Sequence, residues 1–105
     1  MDENQIQISD SENGSCIIFP DYFDISIAAE LHRILCNVLD EKPVRIELDG
    51  ENIEIIDTSI LQTLSAFIRD ARIAGINVCW IHVNDVLCRA ALILGLTASL
   101  HLECE

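Results

Sequence analysis

Between Val44 and Val83 the spacing of apolar residues changes period twice, and this limits the folds open to the chain. Val44, Ile46 and Leu48 alternate with Arg45, Glu47 and Asp49. Alternation by two sends one set to each face of a strand, so this strand has a buried face and a wet face. After it, Ile60, Leu61, Leu64, Phe67, Ile68 and Ala71 recur at helical spacing, the stripe of a helix lying on a core. Gln62, Thr63, Arg69, Asp70 and Arg72 fall on its wetter side. Gly75 stands where a left-handed residue stops a helix. Asn77 to Val83 is then β-branched and aromatic, with Trp80 in its middle, which suits a strand. Strand, helix, strand in that order implies parallel pairing through a right-handed crossover.

The flanks extend the alternation. Ile6 and Ile8 alternate with Gln5, Gln7 and Ser9, the pattern of a half-buried strand. Asp10 to Gly14 is turn chemistry, and Cys16 to Phe19 is a second short strand ended by Pro20. Together they predict a hairpin. Ile27, Leu31, Ile34, Leu35 and Val38 predict a helix that Ser26 or Asp24 can cap and that Pro43 keeps from continuing. Asn84 caps a third helix with Leu87, Ala90, Ala91 and Leu94 on its apolar face. Ala98 to Leu102 reads as a last short strand. The expected architecture is α/β. It has a mixed sheet of four to five strands, helices mainly on one face, and a single domain over residues 1–105.

Half of the 105 residues are hydrophobic, which is enough for a real core. The net charge of −12 argues against nucleic acid as a partner, because phosphate binding needs clustered Lys and Arg. A basic protein partner is easier to accommodate. The longest apolar run, Ala90 to Leu102, is broken by Gly95, Thr97, Ser99 and His101, and is shorter than the roughly 20 residues of a membrane span. Met1-Asp2-Glu3-Asn4 is acidic and opens no signal peptide. The expectation is a cytoplasmic protein without membrane insertion. The cysteines, Cys16, Cys36, Cys79, Cys88 and Cys104, are odd in number and show no C-x-x-C spacing. Neither a disulfide framework nor a zinc knuckle is expected from them. Cys104 lies in the tail.

One joint stands out as a site. Ile55-Ile56-Asp57-Thr58-Ser59-Ile60-Leu61-Gln62 connects an acidic loop, carrying Asp49, Glu51 and Glu54, to the long central helix. Two hydroxyls sit at the helix start, behind a carboxylate. Backbone N–H groups there have no partner inside the helix, and phosphate is well tolerated. A plainer reading is also open. Ser59-Ile60-Leu61-Gln62 fits the S-x-x-Q capping box, which would make Ser59 a helix cap.

Asp57-Thr58-Ser59-Ile60-Leu61, following a strand and a short loop and opening a helix, resembles the D-S-S-G-L signature of STAS domains, the anti-sigma-factor antagonists and their relatives. The resemblance covers most of the chain. Ser26 to Leu39, Ile46-Glu47-Leu48, and Leu87 to Leu96 with its Leu94-Gly95-Leu96 ending sit where such domains have a first helix, a strand before the site and a late helix. Ala66-Phe67, Arg69-Asp70-Ala71-Arg72 and Trp80 are similar to short STAS proteins of chemotaxis gene clusters and to STAS subunits of lipid-transport systems. The resemblance implies a regulatory module without catalysis. In it a serine kinase, often itself the anti-sigma factor, phosphorylates Ser59, with Thr58 the neighbouring candidate, and a phosphatase reverses this. Asp57 would orient the pair. Glu54, Ile60, Arg69 and Arg72 would support the site or meet the partner. Ile60 replaces the signature's Gly, and a β-branched residue there would hinder a partner's close approach. The alternative within the family is a constitutive, unphosphorylated subunit of a chemotaxis or lipid-transport complex.

No cofactor or metal site is expected. Glu47, Asp49, Glu51 and Glu54 read as a solvated acidic surface, because nothing fixes a ligand geometry. His32 and Cys36 stand four apart, which gives only two ligands. His82 and His101 read as structural or surface residues. A two-component receiver would use Asp57 as acceptor but needs a Lys after its last strand, and the single Lys is Lys42. No G-x-S-x-G elbow, P-loop or H-E-x-x-H occurs.

Overall fold

A computed structural model describes residues 4–12 and 14–104. The acidic opening Met1 to Glu3, and Asn13 of the expected Asp10–Gly14 turn, lie outside these.

The alternating segments form the sheet. Strands β1 (Gln7–Ser11), β2 (Gly14–Ile18), β4 (Arg45–Asp49) and β6 (Asn77–His82) lie in the order β1-β2-β4-β6. The hairpin pair β1–β2 is antiparallel, while β2–β4 and β4–β6 are parallel, so the sheet is mixed as expected. Ile17, Ile46, Leu48 and Val78 turn to the buried face, and helices α1 (Ala28–Glu41), α2 (Thr58–Ile73) and α3 (Asp85–Leu94) supply the apolar residues that meet them. Cys16, Glu47 and Cys79 occupy the opposite, wetter face in register. Two further pieces, β3 (Tyr22–Phe23) and β5 (Ile55–Ile56), pair in parallel as a separate ribbon.

Gly14 has a reason to be glycine. Its φ is +152°, and a Cβ there would lie 2.0 Å from the Arg45 carbonyl oxygen. That contact sits where β2 begins to pair with β4, so a side chain would force the strands apart.

Three expectations change. β1 has no buried face: its five residues are exposed, and only Ile6, just before it, enters the core. It is an edge strand, and alternation specifies burial only where something covers one face. Ala98 to Leu102 does not form a strand. The Leu100, His101 and Leu102 N–H groups return to the carbonyls of Leu96, Ala98 and Thr97, which closes helical turns instead. Leu100 and Leu102 are nevertheless buried, and the Trp80 Nε1–H donates to the Leu100 carbonyl at 2.8 Å.

The third change is a disulfide. Cys88 on α3 is bonded to Cys104, with Cα atoms 5.9 Å apart. Residue spacing gave no sign of it, because the bond depends on the tail folding back onto α3. Cys16, Cys36 and Cys79 remain free thiols. Burial, then the nearby Glu47 and Asp49 charges and Cys79, push the Cys16 thiol above its ordinary pKa.

Candidate functional site

Parallel strands place their carboxyl ends together, and the loops that leave them converge there. Here the ends of β2, β4 and β6 carry the segments 19–27, 50–57 and 83–84. Backbone hydrogen bonds lace these segments. The Phe19 N–H donates to the Asp49 carbonyl at 3.0 Å, and the Gly50 N–H to the His82 carbonyl at 2.9 Å. The Glu54 and Ile55 N–H groups both donate to the Asp21 carbonyl, and the Asp57 N–H to the Phe23 carbonyl. Beneath them Phe19 and Phe23 stack with ring centroids 4.7 Å apart, both buried. The ribbon of β3 and β5 is thus held firmly over an aromatic floor.

Helix α2 starts from this ribbon. Asp57 is its N-cap residue, extended at φ −83°, ψ 151°, and its carbonyl accepts from the Ile60 and Leu61 N–H groups. Its side chain does not cap the helix. The carboxylate reaches instead to segment 19–27, where Oδ2 accepts from the Ile25 N–H at 2.8 Å. Thr58 and Ser59 follow as the first two helical residues, both exposed. The capping-box reading of Ser59 therefore fails: a helix capped by Ser59 would begin at Ile60, and α2 begins two residues earlier, at Thr58. Asp57 anchors the turn to its neighbour segment and makes no hydrogen bond to either hydroxyl.

The other expected site residues divide. Glu54 is exposed three residues before Asp57, on the same face of loops. Ile60, expected both on the apolar stripe of the helix and as a support or contact of the site, is 1% exposed and belongs to the core. It anchors the first turn of α2 from below, so its β-branch does not stand over the hydroxyls. Arg69 and Arg72 are exposed on α2, about 15 and about 20 Å beyond Ser59 at 1.5 Å per residue, and they line a groove with Ser65, Ile73, Ser99 and His101. They are not brought to Thr58 and Ser59. Two residues not singled out from the sequence, Tyr22 and Ile25, lie at this end beside Ile55 of the joint. Tyr22, Ile25 and Ile55 are exposed apolar side chains on the ribbon and the adjoining turn. Segments 19–27 and 50–59 contain no Lys or Arg, while Asp21, Asp24, Glu51, Glu54 and Asp57 all lie in them. The local field is negative. Asp24 caps the turn Ile25–Ile27, and its hydrogen bonds from the Ser26 hydroxyl and then the Ser26 N–H hold its carboxyl below the usual range.

Metal-ligating types gather at this same end, where β4 and β6 stop. Among the described residues, Asp49, Glu51 and His82 bring three donor atoms close together. Glu47 is instead paired with Arg45 at 3.1 Å, and His32 meets only Cys36.

No family model matches the chain, and no curated protein does. In three dimensions there is a match. The crystal structure of an anti-sigma factor antagonist from Mycobacterium paratuberculosis shares a TM-score of 0.82 with it. The likeness covers 96% of this chain and 86% of that one, at 16% sequence identity. The fold is that of an anti-sigma-factor antagonist. Within this STAS fold the exposed Thr58–Ser59 pair opens the second helix, at the carboxyl end of the parallel strands. No helix is long and apolar enough to cross a membrane among the described residues.

Proposed function

We propose that this chain is a regulatory protein-binding module of the anti-sigma-factor-antagonist kind, a single STAS domain over residues 1–105. In this reading it is switched by phosphorylation of Ser59, with Thr58 as the second acceptor, and has no catalysis of its own. The observation that carries the reading is the start of α2. Two exposed hydroxyls stand in the first turn of a helix whose N-terminus no side chain caps. A kinase would transfer the terminal phosphoryl group of a nucleoside triphosphate to the Ser59 oxygen. The hydroxyl proton leaves to a base and the diphosphate departs, and a phosphatase restores the hydroxyl with water.

The switch acts by charge. A phosphoserine adds about −1.5 to −2 charges and three acceptor oxygens. The helix N-terminus welcomes them, but Glu54, Glu51 and Asp57 already make this end acidic. The modification therefore repels a partner docked there and leaves the fold alone. The partner is a protein, either a serine kinase that is itself the anti-sigma factor or another regulator, and the compartment is the cytoplasm. Nucleic acid and membrane are not partners. In a reducing compartment the Cys88–Cys104 bridge would stand as two thiols.

A second reading, a constitutive subunit of a chemotaxis or lipid-transport complex, draws on Tyr22, Ile25 and Ile55. An exposed apolar surface can hold a standing contact without any modification. Intact mass of the protein from its own cells, with and without phosphatase, tests the switch. Ser59→Asp should weaken partner binding and Ser59→Ala should keep it, both with the parent's melting behaviour. Equal affinity of the two variants, with no phosphoryl mass in the cell, favours the constitutive subunit.

A further inference from the structure

Where β4 and β6 end side by side, their register pairs Asp49 with His82. Two residues beyond Asp49 the loop returns Glu51 to the same place. The His82 Nδ1 lies 3.2 Å from Asp49 Oδ2 and 3.6 Å from Glu51 Oε2, and the three donor atoms all fall within 4.8 Å of one another. Donors at about 2.0–2.1 Å from a tetrahedral ion stand roughly 3.3–3.4 Å apart, so two of these separations need only tenths of an ångström to close on one centre.

We infer that Asp49, Glu51 and His82 form a binding site for a divalent transition-metal ion such as Zn2+. The donor set selects that class. Two carboxylate oxygens alone would suit Mg2+ or Ca2+, but an imidazole nitrogen belongs with zinc and its neighbours in the first transition row. Three protein ligands leave a fourth position for water. The imidazole binds through Nδ1 and keeps its proton on Nε2.

The scaffold holds the Asp49 carboxylate and the backbone that carries Glu51 and His82 before any ion arrives. Asp49 Oδ1 accepts from the Glu51 N–H at 3.0 Å, which leaves Oδ2 facing His82. The Gly50 N–H to His82 carbonyl bond fixes the two strand ends. The Asn84 side-chain amide donates to the Glu51 carbonyl at 3.0 Å and the Ile53 carbonyl at 2.7 Å, which pins the far side of the loop. The electrostatics agree. Neither Asp49 nor Glu51 has a Lys or Arg partner among the described residues, so His82 is the one group there able to carry positive charge. An ion would neutralise two crowded carboxylates and cross-link β6 to the loop that leads into β5 and α2.

Calorimetric titration of Zn2+ into the 105-residue chain with its disulfide formed tests the site, in a Cys36→Ser background that removes the His32–Cys36 pair. One ion should bind per chain. His82→Gln and Glu51→Gln should each weaken binding by roughly tenfold or more, while Glu54→Gln and Glu47→Gln leave it unchanged. In the parent protein, Zn2+ should shift the His82 ring nitrogen signals, with Nδ1 as the liganded atom. This readout decides the matter should a variant fail to fold. Absence of binding at millimolar Zn2+ would overturn the site. So would parent-like affinity in His82→Gln, an unmoved His82 ring, or equal weakening by Glu54→Gln, the mark of a diffuse acidic surface.

Discussion

Helices α2 and α3 begin at the same end of the sheet, yet their first turns are finished in opposite ways. At α3, Asn84 accepts from the Leu87 N–H at 3.0 Å, and its amide group donates to two loop carbonyls. One residue caps the helix and knits the neighbouring loop. At α2 the cap position is held by Asp57, but its carboxylate is spent on the Ile25 N–H, and the first turn presents Thr58 and Ser59 to solvent. A helix start closed by its own side chain is architecture. One left open, with hydroxyls in the first turn, is available for chemistry. α3 is also fastened in mid-helix by Cys88–Cys104, whereas no bridge touches α2.

The largest effect should come from that bridge. Closing a loop of about 15 residues is worth about 3 kcal/mol through the unfolded chain, and Cys88 and Cys104 are 16 apart. Replacing both by Ser, or adding a dithiol, should lower the melting temperature by roughly 12–24 °C for a domain of this size. A shift of only a degree or two would show that Leu100, Leu102 and the Trp80 hydrogen bond hold the tail unaided, and the two helices would then differ less than the covalent structure suggests. Next in size is Asn84→Ala. It removes a cap and leaves a part-buried loop carbonyl short of a donor, and should cost roughly 2–3 kcal/mol in urea unfolding. Asp57→Ala removes a single hydrogen bond between segments and no cap, and should cost about 1 kcal/mol. Equal losses for Asn84→Ala and Asp57→Ala would erase the distinction between the closed and the open terminus.

What could be read from the sequence follows the range of the physics. The period changes between Val44 and Val83 gave β4, α2 and β6 because each depends on side chains within one or two turns of one another. Asn84 as a cap was legible for the same reason. Asp57 is legible as a residue of the joint, but its partner is not, since the Ile25 N–H that it accepts from is 32 residues away. Ser59 matched a capping box because the pattern does not say where the helix starts, and here the Asp57 carbonyl already receives the first helical bonds. Ile8 alternates like a buried strand residue and is exposed, because its strand is at an uncovered edge. Leu100 and Leu102 alternate and are buried, yet their backbone turns. Nothing in the sequence around His82 marks it as a ligand, because its companions lie more than thirty positions back and only the β4–β6 register brings Asp49 beside it.

The smallest predicted effect concerns acid. The segment that receives Asp57 is itself ordered by a carboxylate: Asp24 caps the turn Ile25–Ile27 through Ser26. Asp24 titrates below the ordinary Asp value because the Ser26 hydroxyl and then the Ser26 N–H hydrogen-bond its ionised form. A carboxyl whose folded value is depressed stabilises the fold above its unfolded pKa, and that contribution is lost as pH falls through the lowered folded value. The cap of α3 is a neutral amide and has no such dependence. As pH drops below the ordinary Asp range, Ser26 and Ile27 should lose amide protection before Leu87, since the cap of the turn beside α2 is a carboxylate and the cap of α3 is an amide. Simultaneous loss of protection at both places would mean that acid unfolds the domain as a whole, and that the open end of α2 is as firmly held as the closed end of α3.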